Sequence, residues 1–372
     1  MSTGLIAHEW LAPAGGSERV VEAMIDAFPG APLHVLWDDA PHIDRGAPVR
    51  ESWLARTPLR RSKGAALPLM PAVWKRLRSS ADVDWILASS HAFAHHARLS
   101  GAPHVPTLAY VHTPARYVWL PELDTRGNSR LARAASVPLR SLDHRRAQDL
   151  EAVAANSAYV ARRIADCWER DATVIYPPVD VAQIMAADGT ELDDDERALL
   201  ESLPTAFVLG ASRFVPYKEV HQALRVGQLL DTPVVLAGGG PGEAELREEA
   251  EALGVAASFV IDPSTPLLRA LYARALLYVF LAVEDFGIMP VEAMAAGTPV
   301  LVRSEGGAVE SVLSCEGGAA VDDPADTVEL KAAAHRAMGI DRAGLPARTM
   351  RFDRSRFIGE IRDWVERGGA DV

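Results

Sequence analysis

The 372 residues carry 50 acidic against 38 basic side chains, a formal net charge of -12, with 49% hydrophobic and 24% charged residues. That length exceeds one ordinary core and suits two domains, the composition is globular rather than disordered, and the acidity argues against a general nucleic-acid binder. Cys167 and Cys315, the two cysteines, give neither a disulfide framework nor zinc spacing, and no apolar run is long enough to span a bilayer.

Gly4 to Ala7 is a short apolar strand with no charged leader ahead of it, which fits a cytoplasmic protein. His8 to Glu18 is expected as a loop, containing Gly15-Gly16, and Arg19 to Phe28 has helical spacing. A Gly-Gly pair between strand and helix lets the backbone approach a phosphate, although a tight turn needs the same residues. Leu33 to Trp37, Val83 to Ala88 and Thr107 to Val111 read as further strands, and Arg140 to Ala154 as a helix. Asn156-Ser157 caps a helix over Ala158 to Trp168. Alternating strands and helices imply a parallel sheet. Among the histidines, His112 stands out because its strand ends in a sharp Thr113-Pro114 turn, which holds an imidazole at the sheet's ligand edge.

Val174 to Asp180 enters a proline-stiffened linker, and the domain boundary is expected there, with domains over 1–176 and 177–357. The run Asp188, Glu191, Asp193, Asp194, Asp195, Glu196 reads as a solvated loop or helix start, without the glycine-punctuated spacing of a calcium loop. The pattern then restarts. Ala206 to Gly210 is a strand, followed by a loop with Arg213 and Lys218, two cations suited to a diphosphate. Val234 to Ala237 precedes the glycine run 238–242, which is weak as a dinucleotide fingerprint. After the strand Ser258 to Ile261 and the helix Thr265 to Ala275 comes the apolar run Leu276 to Val283, a buried strand that sets Glu284 at its carboxyl end. Pro290 is expected at the first position of a helix, Glu292 in its first turn, Gly297 at its stop, and Pro299 to Val302 in the next strand. The loop amides of Phe286 to Met289 then point into the crevice where open α/β sheets bind ligands. On spacing alone, Glu292 as a helix cap and Glu284 as a solvated charge remain equal readings.

Glu284-Asp285-Phe286-Gly287-Ile288-Met289-Pro290-Val291-Glu292, running on to Gly297-Thr298-Pro299, closely resembles the donor-site motif of retaining glycosyltransferases of family 4. His8-Glu9-Trp10-Leu11 with its Gly-Gly-Ser-Glu-Arg-Val, Ser89 to Ala94, and Val111 to Tyr117 look like motifs of the mannosyltransferase-like branch. The resemblance covers nearly the whole chain. It implies a GT-B fold, two facing Rossmann-like domains with parallel sheets and a donor cleft between them, and a closing helix over 358–372 that crosses back onto the first domain. It implies transfer of a hexose, mannose first, from a nucleotide-diphosphate sugar to a hydroxyl of a glycan, lipid-linked or small-molecule acceptor. GDP-mannose is expected ahead of a UDP-sugar, with no cofactor and no metal. The catalytic residues it implies are His112, Glu284, Arg213 and Lys218. The binding residues are Gly15, Gly16, Arg116, Asp285, Phe286, Gly287, Ile288 and Glu292, the last against the ribose. Val260 to Ser264 departs from the family by lacking a Leu-Gly pair near where the base is held.

A sugar-nucleotide epimerase or inverting transferase on the same architecture, and a noncatalytic sugar-nucleotide binder, are the competing readings. Between 45 and 78, Arg45, Arg50, Arg56, Arg60, Arg61, Lys63, Lys75, Arg76 and Arg78 face Glu51 alone, interleaved with Trp53, Leu54, Met70 and Trp74. An ordinary solvated surface explains this as well as an anionic membrane does. The membrane reading places the protein peripherally at the inner face of the plasma membrane.

Overall fold

The computed structural model describes residues 3–13, 15–78, 82–119, 130–187 and 189–368, and of 130–136 the backbone alone. Asp188 of the acidic run and 369–372 of the expected closing helix lie outside the described residues. The chain divides into two units, Met1–Pro178 with Ser355–Val372, and Val179–Arg354.

The first unit holds a parallel sheet of seven strands: β1 (Gly4–Leu11), β2 (Leu33–Asp38), β3 (Val49–Glu51), β4 (Trp85–Ser90), β5 (Thr107–Val111), β6 (Ala152–Ala155) and β7 (Thr173–Val174), in the order β3-β2-β1-β4-β5-β6-β7. β1, β2, β4 and β5 are buried along their whole length, the pattern of a sheet covered on both faces. The helix Arg354–Glu366 packs Phe357, Ile361, Trp364 and Val365 against Ile6, Leu33, Leu87 and Tyr110 of this sheet. Ser157 caps the helix Ala158–Trp168 by accepting the N–H of Val160.

The second unit holds six parallel strands: β8 (Val208–Ala211), β9 (Val234–Gly238), β10 (Ala257–Ile261), β11 (Leu277–Phe280), β12 (Val300–Arg303) and β13 (Gly318–Val321), in the order β10-β9-β8-β11-β12-β13. Asp193 and Glu196 close a reciprocal capping box at the start of the helix Asp194–Ser202, so this part of the acidic run is a helix start. The glycine run serves close packing of two loops. At Gly238 (φ +137°) a Cβ would lie 2.0 Å from the Ser212 carbonyl, and Phe214 N–H donates to the Gly239 carbonyl at 2.8 Å.

Several expectations need correction. β1 runs on to Leu11, so His8 and Glu9 are strand residues rather than loop residues. The helix expected to reach Ala154 ends at Gln148, and Ala152–Ala155 is the strand β6. β11 stops at Phe280, which leaves Glu284 in the loop beyond the strand rather than at its end. The next helix is Ile288–Ala295, so Pro290 is its third residue and Glu292 its fifth. Position five lies too far along to close a capping box.

Candidate active site

In each sheet the strand order reverses once, between β1 and β4 in the first and between β8 and β11 in the second. The crevice at the carboxyl ends of such a pair is the general ligand site of open α/β sheets. The residues singled out from the sequence collect at these two points.

In the second unit, the loop after β8 carries Arg213 and Lys218, and the loop after β11 carries Glu284. Lys218 Nζ donates to Glu284 Oε1, with 14% and 25% of the two side chains exposed. Arg213 donates to the Tyr217 hydroxyl, and Lys218 Nζ lies 5.6 Å from the Tyr217 ring centre. Tyr217 itself is 59% exposed. The site therefore has two cations, one carboxylate and a phenol on adjoining loops, with one cation already neutralised by the carboxylate. The glutamate loop is held by Gly307, whose N–H donates to the Glu284 carbonyl at 2.7 Å. A Cβ on Gly307 would lie 2.0 Å from the Asp285 carbonyl. Gly306-Gly307 was missed in the sequence, although it is a Gly-Gly pair shortly after an apolar strand, the same signal as Gly15-Gly16. Gly287 caps the helix Ile288–Ala295, which begins at Ile288. Phe286 is 3% exposed and packs edge-on to Phe352 at 5.7 Å. Its side chain is core, which leaves only its backbone for a ligand. Glu292 is half-buried. Tyr278, beneath, has its hydroxyl pushed far above its usual range by burial and then by Glu284 and Glu292, and it donates to the Ala211 carbonyl at 2.8 Å.

In the first unit, His8 and Glu9 of β1 meet His91 after β4 and His112 after β5. The ring centres are 5.5 Å apart for His8–His91, 6.1 Å for His91–His112 and 6.4 Å for His8–His112. Ser89 lies among them, its Oγ 2.8 Å from His112 Nε2 and 3.1 Å from His8 Nδ1. Burial, then His91 and His8, push His112 down to about 3, so its imidazole is neutral at pH 7. Glu9 is fully buried. Its Oε1 accepts from the N–H groups of His91 (3.1 Å), Ala92 (2.9 Å) and Ala94 (2.9 Å) and from Ser90 Oγ (3.2 Å). Burial alone would raise the Glu9 carboxyl, but His91 beside it and these donors hold it well below the usual carboxylate range. Glu9 and Ser89 lie in stretches that carried the family resemblance, but neither was given a role from the sequence, and the stretch from His8 was read as a loop because it is polar after four apolar residues.

Gly16 opens the helix Gly16–Ala27, and Gly15 precedes it. The first turn already holds a carboxylate of this chain: Glu18 accepts from the Ala12 N–H at 3.0 Å and from Ser17 Oγ at 2.8 Å. Arg116 opens the short helix Arg116–Trp119 beyond His112. Behind the histidines lies Asp143, fully buried, whose carboxylate accepts from His96 Nε2 (3.0 Å), Trp119 Nε1 (2.7 Å) and Trp168 Nε1 (2.8 Å) and faces His95 Nε2 at 3.0 Å. Ser90 Oγ, 3.0 Å from His95 Nδ1, joins this knot to Glu9.

The basic segment is narrower than expected. Arg45 is buried and bonded to Glu22 at 2.7 Å, and Leu54, Met70 and Trp74 are core, so none belongs to a surface. Arg60 pairs with Asp39 at 2.9 Å. Arg50, Arg76 and Arg78, with Trp53 55% exposed, line one groove of about 580 Å³.

Residues 14–183 match the model of Glycosyltransferase Family 4, and residues 193–341 that of Glycosyl transferases group 1. The chain is 31% identical over 191 residues to the GDP-mannose-dependent alpha-(1-6)-phosphatidylinositol monomannoside mannosyltransferase of Mycolicibacterium smegmatis, covering 47% of this chain and 50% of that protein. It is 29% identical over 198 residues to the D-inositol 3-phosphate glycosyltransferase of Mycolicibacterium gilvum, covering 50% and 44%. The matches thus span half or less of the length of these curated relatives. Among solved structures, Anabaena HepE in complex with UDP and glucose superposes with a TM-score of 0.66 at 18% identity, over 98% of this chain and all of that one. The apo form of the lipopolysaccharide outer core galactosyltransferase WaaB gives a TM-score of 0.67 at 14% identity, over 98% and 99%.

Proposed function

Because this chain carries the paired domains of a family 4 type glycosyltransferase on a GT-B fold, we propose that it moves a hexose from a nucleotide-diphosphate sugar to an acceptor hydroxyl with retention of anomeric configuration. The observation that carries this reading is the Lys218–Glu284 pair beside Arg213 at the β8/β11 switch point. As the bond from the sugar carbon to the diphosphate breaks, its electron pair leaves with the diphosphate, and negative charge grows there. Arg213 and Lys218 stabilise that charge, and Glu284 orients the sugar ring through its hydroxyls. Mannose from GDP-mannose is the expected donor, which the GDP-mannose dependence of the M. smegmatis relative supports. A panel of sugar nucleotides tested for thermal stabilisation checks the donor assignment. A ligand at a hundred times its Kd adds about 2.7 kcal/mol, and GDP-mannose should give the largest shift. A panel without any shift rejects it.

A charge-assisted hydrogen bond contributes roughly 1.5–3 kcal/mol. Arg213→Ala and Lys218→Ala should each lower kcat/KM about tenfold or more. Native kinetics in both variants would remove the phosphate assignment. His112, neutral and fixed by Ser89, suits a hydrogen bond to a sugar hydroxyl. His112→Ala should lower kcat about tenfold with donor affinity retained. A native rate in that variant would leave His112 a packing residue only.

The acceptor is a glycan, a lipid-linked glycan or a small molecule. No helix among the described residues is long and apolar enough to cross a membrane. The groove of Arg50, Arg76 and Arg78 beside exposed Trp53 supports a peripheral position at an anionic cytoplasmic membrane face. Sedimentation with anionic vesicles should then show binding at low salt that is lost at high salt. Equal, negligible binding at both would leave an ordinary solvated surface.

A further inference from the structure

β2 is apolar except at His34, its second residue, and at Asp38, its last. His34 is 6% exposed, and its Nε2 is buried without a hydrogen-bond partner. Buried polar atoms are nearly always paired, and one left unpaired weakens the fold. His34 stands in register beside Arg50 of the edge strand β3. Both line the groove of about 580 Å³ that also takes in Trp53, Arg76 and Arg78. The backbone between the last two arginines is pinned at Leu77. Its N–H donates to the Arg98 carbonyl at 3.0 Å, and its carbonyl accepts from the Ser100 N–H at 2.8 Å. Glu51 is the one acidic side chain among the lining residues, and its Oε1 is engaged by the Asp38 N–H at 2.7 Å. Burial, then Arg50, push His34 down to about 4, so its ring is neutral at pH 7 and carries one N–H. The groove thus joins three guanidinium groups, a buried imidazole lacking a partner and an indole that is 55% exposed. It begins at the amino end of β2, whereas the candidate active site lies at the carboxyl ends of the strands.

We propose that this groove docks a phosphomonoester, with the arginines and His34 Nε2–H on the phosphate oxygens and Trp53 against the organic part. Guanidinium forks match phosphate oxygens in pairs, which a diffuse positive surface does not require. The inference goes beyond the membrane attraction proposed above, because it needs a terminal phosphate and not merely negative surface charge. A free phosphorylated molecule or a lipid whose headgroup is a bare phosphate supplies that chemistry.

Phenyl phosphate, a terminal phosphate on an aromatic ring, is the probe. Calorimetric titration of the native chain should show one saturable site. The same addition should move the His34 imidazole-nitrogen resonances of histidine-labelled protein, which attraction at a distant surface would not. Arg76→Ala, at an exposed position, should weaken binding about tenfold, the loss of one charge-assisted hydrogen bond. His34→Phe should weaken it by about as much while melting no earlier than the native chain, since the change removes an unpaired buried nitrogen. If that variant does not fold, Arg76→Ala and the resonance shift still decide.

Vesicles separate the two sources. Retention on phosphatidic acid vesicles but not on phosphatidylglycerol vesicles of matched surface charge, displaced by phenyl phosphate, assigns the lipid. Phenyl phosphate binding without retention on either vesicle assigns a free phosphorylated molecule and removes the membrane reading alone. The dock is overturned if phenyl phosphate does not bind, or if both variants bind it as the native chain does. Equal retention on both vesicles without phenyl phosphate binding overturns the dock and leaves the membrane reading standing.

Discussion

Replacing Glu284 with glutamine should lower kcat by about a hundredfold while leaving donor KM near its native value. Three constraints fix where this side chain sits. Gly307 donates to its carbonyl, Gly306 and Gly307 lie too close behind its loop to accept a larger residue, and Lys218 holds its carboxylate. Glutamine matches its shape, so the loop stays in place, and the charge that orients the ring and balances Lys218 is lost. Misplacing a reacting group by about 1 Å can cost roughly a hundredfold in rate. Glu292 is the fifth residue of its helix and is proposed to reach the ribose, remote from the breaking bond. Contacts equal in ground and transition states affect KM and spare kcat. Glu292→Gln should therefore raise donor KM several-fold at native turnover. A native rate for Glu284→Gln, or native donor KM for Glu292→Gln, would contradict the division of roles.

The second large effect concerns stability. Asp143→Ala should destabilise the first unit by about 3–5 kcal/mol, because it strands the ring N–H groups of His96, Trp119 and Trp168 in a dry interior. Burial alone would raise the Asp143 carboxyl, but His95 and His96 hold it well below its ordinary 3.8. A depressed acid stabilises the fold above its unfolded value, and that contribution is lost as pH falls through the folded one. The neutral histidines act earlier on acidification. Burial pushes His34 and His96 down to about 4 and His112 to about 3, from 6.5. The unfolded chain binds their protons first, so stability should fall as pH drops from 6.5 toward 4, before the carboxylates titrate. Chemical denaturation across that range checks this. A flat profile, or an Asp143→Ala chain as stable as the native one, would show that the knot contributes little.

Both sheets were legible where the chain follows a clear period. Thr107–Val111 stands as read, and the Ser157 cap stands because a serine before a helical run can satisfy the free N–H of its first turn. The misses share one physical cause, tertiary context overriding local preference. Ala152–Ala155 is three alanines, the strongest helix former, around one valine, yet it is a strand because β5 and β7 flank it. His8 and Glu9 are polar, yet they lie in a buried strand because Ser89 and the 90–94 turn supply their partners. Asp143 falls within the helix read over Arg140 to Ala154 without a role of its own, whereas two tryptophans that donate to it come from other elements. In the candidate site, the loop positions of Arg213, Lys218 and Glu284 at strand ends were legible, and the structure brings Lys218 and Glu284 together. The Gly306-Gly307 support and the Glu9–His91 pair were not, because each depends on distant segments meeting.

The most direct test of the central claim is donor turnover with the native chain. GDP-mannose is supplied with lipid-linked, glycan and small-molecule acceptors, and GDP release and the anomeric configuration of the product are followed together. The account predicts GDP release coupled one to one to an α-mannosylated product, dependent on acceptor and cut about tenfold or more in Lys218→Ala. An inverted product, a free epimerised sugar, or the absence of turnover with GDP-mannose and every other sugar nucleotide would contradict it.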